Sequence, residues 1–170
     1  EWVQLSPLIA YGYNRHGELL YVNEGVLGQA FNICPKCGQD LQHKPACPIC
    51  QVSGKKRTLG FKQKTDTLHL RFTDLPNAPL PKDSSFWLSL LQAFIQGACR
   101  ALQIERRDIG GVLHPVKTTL GWQQTIVLYD DVPGGAGHVK RIQEEIVAVI
   151  EMALAIVNCT DCSPDTSCYH

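Results

Sequence analysis

Four cysteines, Cys34, Cys37, Cys47 and Cys50, stand in two C-x2-C pairs separated by nine residues. Each pair occupies a short turn, Cys34-Pro-Lys-Cys37-Gly and Cys47-Pro-Ile-Cys50, that can aim both sulfurs at one point. Four converging thiolates are the tetrahedral set that zinc prefers, with Zn–S bonds near ~2.3 Å. Such a set leaves no position open for water, so the Zn2+ expected here is structural and not catalytic. Gly38 supplies a permissive backbone just after the first knuckle, where the chain must turn with its amides toward the sulfurs. Disulfides are the competing reading of eight cysteines. Seven of the eight, however, fall in two tight clusters, which points to metal in a reducing compartment. The eighth, Cys99, lies in a helical pattern and reads as a core thiol.

The second cluster, Cys159, Cys162 and Cys168, offers three more thiolates at short spacing. It suggests a second zinc site whose fourth ligand is either His170 or a cysteine beyond it. The alternative is a tail whose cysteines bind nothing.

A third segment has chemistry of another kind. Asp130-Asp131-Val132-Pro133-Gly134-Gly135-Ala136-Gly137-His138 runs from an apolar strand straight into a helix. Amides at such a helix N-terminus can hold a phosphate, which makes Gly134, Gly135 and Gly137, with His138, Lys140 and Arg141, candidate anion or DNA contacts. The basic run Lys55, Lys56, Arg57 is a second candidate. Contacts of this type are salt-dependent and carry no sequence information. The turn matches neither the Walker A spacing nor the dinucleotide fingerprint, and tight packing of helix on sheet would also require its glycines. His138-x-Lys140 resembles one half of the His-x-Lys element of phospholipase D-type nucleases. Asp66, Asp130 and Asp131 could gather a divalent ion, although Asp66 serves equally well as a turn cap. The alternative function is therefore a phosphodiesterase or nuclease using His138, Lys140 and these aspartates.

These groups must be positioned by ordinary elements. Leu19 to Val22 and Ala30 to Ile33 are β-like runs punctuated by glycines, hairpin material leading into the first cysteine pair. Residues 34–57 are polar, lack apolar periodicity and cannot form a core without metal. Thr67 to Phe72 alternates, placing Leu68, Leu70 and Phe72 on one strand face. Asp83-Ser84-Ser85 predicts a helix start, and a helix to about Leu102 carries Trp87, Leu90, Leu91, Phe94, Ile95, Ala98 and Leu102 on its apolar side. Strands are expected over 109–116 and 124–128, and a last helix over about 135–157 with Val139, Ile142, Ile146, Val149, Ile150, Ala153 and Val157 inward. The predicted fold is α+β: two long helices on a largely antiparallel sheet, with a four-cysteine zinc ribbon inserted at about 31–57.

With 170 residues the chain can bury a real core as a single domain, 1–170, ending in the cysteine cluster 159–170. It carries 16 basic and 16 acidic residues, so any nucleic-acid contact must use a local patch. No apolar run approaches membrane-spanning length, and a soluble cytoplasmic protein without membrane contact or a small-molecule substrate is expected. Because it opens at Glu1 and closes inside a cysteine motif, the chain reads as a fragment of something larger.

Several segments together resemble one family: Phe31 to Gly38, Leu59 to Leu68, Gly97-Ala-Cys-Arg-Ala-Leu102, Ile109-Gly-Gly111, Ile126 to His138 and Ser167-Cys-Tyr169. They are similar to the zinc-binding domain at the C-terminus of MrfA-type DNA-repair helicases, and to the DrmB proteins of DISARM antiphage systems. The resemblance implies a non-catalytic zinc-binding accessory module that contributes to DNA binding and assembles with a helicase motor domain or subunit. It also implies that Cys159, Cys162 and Cys168 are zinc ligands. The family pattern closes one knuckle further on and spaces these cysteines more tightly.

Overall fold

The structure, a computed structural model, describes residues 2–73, 80–118 and 121–158. Cys159, Cys162, Cys168 and His170 lie outside the described residues. In chain order the elements are β1 (Val3–Gln4), β2 (Ile9–Asn23), β3 (Phe31–Ile33), β4 (Lys55–Arg57), β5 (Leu59–Phe72), α1 (Ser84–Leu102), β6 (Ile109–Thr118), β7 (Gly121–Asp130), α2 (His138–Glu144) and α3 (Ile146–Val157). Five strands form a sheet in the order β1-β2-β5-β7-β6, and β3 and β4 form a separate antiparallel pair. The pairings of β1 with β2, β5 with β7 and β6 with β7 are antiparallel. An α+β fold with an antiparallel sheet is what the patterning called for.

The chain divides into two compact units, Glu1–Gly17 with Lys64–His170, and the inserted Glu18–Gln63. The inserted unit contains the segment 31–57 read as a ribbon, and β2 and β5 each run from one unit into the other.

In the first unit the core forms because the period of each element matches its state. Leu68, Leu70 and Phe72 alternate inward on β5, Ile126 and Leu128 do so on β7, and α1 meets them with Trp87, Leu91, Phe94, Ile95 and Ala98. Asp83 caps α1 by accepting from the Ser85 amide at 3.1 Å, as the Asp-Ser-Ser string implied. Hydrogen bonds from the Ser85 side chain and amide hold the exposed Asp83 carboxylate below its ordinary pKa. Leu90, Leu102 and Cys99 are only half-buried at the core edge. α1 and α3 cross closely at Gly97, where a Cβ would lie 2.7 Å from the Val149 carbonyl oxygen and 2.9 Å from the Ala153 Cβ.

The last helix differs from the single 135–157 element expected. Gly134, Gly135 and Gly137 have positive φ and stay outside it, so it starts at His138, and Glu145 (φ −110°, ψ 28°) divides it into α2 and α3. Hydrogen bonds from Glu145 N to Arg141 O and from Val149 N to Glu145 O carry the ladder across the break. Val139, Ile142, Ile146, Val149 and Ala153 face the core as read, whereas Val157 is 63% exposed.

Candidate metal centre and basic surfaces

The inserted unit is built around the cysteines. Its buried residues are Cys34, Leu41 and Cys47, with Cys50 and Val52 packed against them. The two knuckles repeat one hydrogen-bond pattern. Cys34 N donates to Gln39 O and Gly38 N to Cys34 O, while Cys47 N donates to Val52 O and Gln51 N to Cys47 O. Each loop closes through a left-handed residue directly after its second cysteine, Gly38 at φ 75° and Gln51 at φ 52°. Glycine takes that conformation without penalty, and glutamine holds it at some cost. β3 and β4 clamp the base of the unit, pairing Phe31 with Arg57 and Ile33 with Lys55. The Asn32 amide ties in the intervening loop by donating to Lys44 O at 3.0 Å.

All four sulfurs lie within 4.8 Å of one another, and Cys37 Sγ is 3.7 Å from Cys47 Sγ. A tetrahedron with Zn–S bonds near ~2.3 Å has edges of about 3.8 Å, so the thiols are spaced for one zinc ion. The four are unbridged. The electrostatics agree with the spacing. The Cys34 thiol is drawn down to about 7, chiefly by the Cys37 amide with that of Lys36 helping, against the opposing effect of burial. Cys50 is pushed up to about 12, first by the Cys37 sulfur, then by burial and the other sulfurs. Neighbouring sulfurs thus oppose one another's ionisation, and a bound cation would favour the thiolate form of all four. The quartet can hold one zinc ion and gives it four sulfur ligands with no open position.

The glycine turn belongs to the first unit, and its anion is internal. Asp130, fully buried at the end of β7, accepts from the amides of Ala136 (2.6 Å), Gly137 (2.6 Å) and Val139 (2.8 Å). The Gly134 amide donates to Lys64 O and that of Gly135 to Val132 O. The donors expected to face a phosphate are thus engaged by a carboxylate and carbonyls of the same chain. Thr65 Oγ1 braces the turn from β5 by donating to the carbonyls of Asp130 (2.8 Å) and Val132 (3.1 Å). Asp66, also buried, accepts from the Tyr13 hydroxyl at 3.0 Å and packs under Gly135, where a Cβ would come 2.8 Å from its Cγ. Burial, that hydrogen bond and the nearby carboxylates push Tyr13 up to about 12.

Of the remaining candidates, His138 is half-buried and the lysines and arginines are exposed. His138 Nε2 lies 3.9 Å from Asp108 Oδ2, and Lys140, on the exposed side of α2, pairs with Glu144 at 3.6 Å. Arg141 donates to Leu102 O at 3.0 Å. Lys55, Lys56 and Arg57 are all exposed on β4. His138, Lys140 and Asp130 do not converge: the aspartate is buried on its amides while the lysine faces outward. Among the described residues, the cysteine quartet is the metal-capable cluster of three or more ligands.

The inserted unit also carries an aromatic pair that no motif or periodicity marks. Phe61 on β5 is 60% exposed and stacks on Tyr21 of β2, with ring centroids 4.7 Å apart and planes 9° apart. An aromatic between Leu59 and Lys62, four residues after Arg57, was the available signal.

Residues 90–170 match the family model described as MrfA Zn-binding domain. That match spans the C-terminal cysteines and leaves the quartet at 34–50 outside it. No curated protein matches the chain. Among solved structures, the crystal structure of the DUF1998 helicase MrfA bound to DNA is similar over 94% of this chain and 20% of that one, with TM-score 0.53 and 16% identity. The crystal structure of that helicase bound to DNA and AMPPNP aligns with 56% of this chain and 17% of that one, at TM-score 0.40 and 14% identity. The chain spans about a fifth of the helicase chains it is compared with. The resemblance drawn from the sequence therefore holds: residues 90–170 match the MrfA zinc-binding domain, and the fold over nearly the whole chain is similar to one part of that helicase.

Proposed function

We propose that the chain is a non-catalytic zinc-binding accessory domain of a helicase-linked protein of DNA repair or antiphage defence, working in the reducing cytoplasm. In this reading it contacts DNA through phosphates and assembles with the helicase motor. The observation that carries it is the closed thiolate quartet in the same unit as three consecutive exposed cations. Zinc fixes the ribbon, and the ribbon presents Lys55, Lys56 and Arg57 on a strand clamped by β3. On α2, Lys140 and Arg141 add further positive charge, with His138 alongside. The turn glycines Gly134, Gly135 and Gly137 contribute by setting the start of that helix, since their amides serve the chain itself.

Assembly with a motor is supported by a groove of about 380 Å³ in the first unit, between α1, α3 and the sheet. Its lining includes Phe86, Leu90, Leu154 and Val157, and its surface is almost wholly apolar. Leu154 and Val157 are 60% and 63% exposed, and a patch of this kind is costly to leave facing water.

A DNA titration across salt concentrations tests the phosphate reading. Replacing Lys55, Lys56 and Arg57 by alanine is expected to weaken binding regardless of sequence and to reduce the log–log salt slope by about 2–3. Unchanged affinity after neutralising this group together with Lys140 and Arg141 would remove the proposed interface.

A further inference from the structure

The basic run and β5 are separated by Thr58 alone: Lys55-Lys56-Arg57, then Leu59-Gly60-Phe61-Lys62. Cations and an exposed aromatic thus share one short stretch of the inserted unit. The Phe61 ring lies nearly parallel on Tyr21, and these two residues line a cleft of about 380 Å³ with Val22, Asn23, Leu59 and Gly60. Gly60 lets the two strands approach, because a Cβ there would lie 2.7 Å from the Tyr21 carbonyl oxygen. Val22 and Leu59 are also exposed, so this end of the unit shows an apolar, flat-ringed surface to water.

Charge selects the occupant. Within Glu18–Gln63 there are six lysines and arginines against three acidic residues, and four of the six fall in the stretch 55–62. Lys62 is paired with Glu18 at 3.3 Å, but both side chains are at least half exposed, a pairing too weak to withhold the lysine from a phosphate. An aromatic face bordered by cations suits a chain of π-faces joined by phosphates. In a duplex the bases cover one another's faces, whereas a single strand leaves them open for stacking.

We propose that the Tyr21–Phe61 pair is a base-stacking platform for single-stranded DNA, with the DNA backbone held by Lys55, Lys56, Arg57 and Lys62. The proposal rests on the DNA-binding reading given above and adds to it the form of DNA and the residue that selects it. Phe61 presents the open ring face, Tyr21 backs it, and the cations supply affinity that is indifferent to sequence.

The test is fluorescence anisotropy of the intact zinc-loaded protein with an oligothymidylate of about 15 nucleotides, in the site-size range of single-strand binders. A blunt duplex serves as the comparison, with both measured at several salt concentrations. Phe61→Ala is expected to weaken single-strand binding by about 5- to 150-fold while leaving the salt slope and the duplex affinity unchanged. Phe61→Trp is expected to restore or exceed the original affinity, and zinc content checks that each variant is folded. If Phe61→Ala leaves single-strand affinity unchanged while the Lys55/Lys56/Arg57 triple variant loses it, the platform is overturned and the phosphate reading stands. Equal loss on both DNA forms from Phe61→Ala also overturns the platform. An intact protein that binds neither form overturns both readings.

Discussion

Asp130 spends its carboxylate on three amides inside the molecule, and that decides what the glycine turn does. Charge-assisted hydrogen bonds in a fully buried place are worth more than neutral ones, and an asparagine offers only one acceptor oxygen where Asp130 uses two. Asp130→Asn is expected to destabilise the first unit by about 2–4 kcal/mol in urea unfolding. Lys140→Ala, which removes only an exposed pair with Glu144, should change stability by less than about 1 kcal/mol. At Gly38 nothing lies within 4 Å of where a Cβ would sit, so the cost of Gly38→Ala is the left-handed backbone alone. That cost is about 1–2 kcal/mol, read as weaker zinc binding in a chelator competition. The cysteines were legible in the sequence because metal chemistry dictates both residue type and spacing. Asp130 was within reach too, since its partners lie only a few residues on, but a strand-turn-helix pattern does not say whether its amides face inward or outward.

Elements whose hydrophobic period matches their burial were readable, and those with no buried face were not. α1 emerged from its cap and stripe, and the second half of β5 from its alternation. Its first four residues, Leu59 to Lys62, are all exposed, so no buried face sets them apart as a strand. The break at Glu145 was hidden because the apolar stripe and the i to i−4 bonds both continue through it. Gly97 shows why the Gly-Ala-Cys-Arg-Ala-Leu string matters at this scale: it is where α1 and α3 touch. Gly97→Ala should push the helices apart and cost about 1–3 kcal/mol, seen as a lower urea midpoint with an unchanged slope.

The whole molecule combines a unit that has, among its described residues, a large apolar core of its own and an inserted unit whose buried residues are two cysteines of the quartet and a leucine. Their dependence on metal should differ accordingly. Chelation is expected to remove amide-exchange protection around Leu41 while protection at Leu70, Ile126 and Leu128 persists, because the first unit has an apolar core to hold it and the smaller unit does not. The two-unit organisation was only partly visible in the sequence: the polar stretch 34–57 announced an insertion, but β2 and β5 cross the boundary without a change in composition. Cys34, Cys37, Cys47 and Cys50 are expected to bind one structural zinc. The most direct measurement is metal content with cobalt substitution, comparing the intact protein with a Cys34→Ser/Cys47→Ser variant. The variant is expected to lose one equivalent of zinc and the cobalt–thiolate absorption of a tetrahedral four-sulfur site. Unchanged metal content and cobalt spectrum in the variant would contradict it.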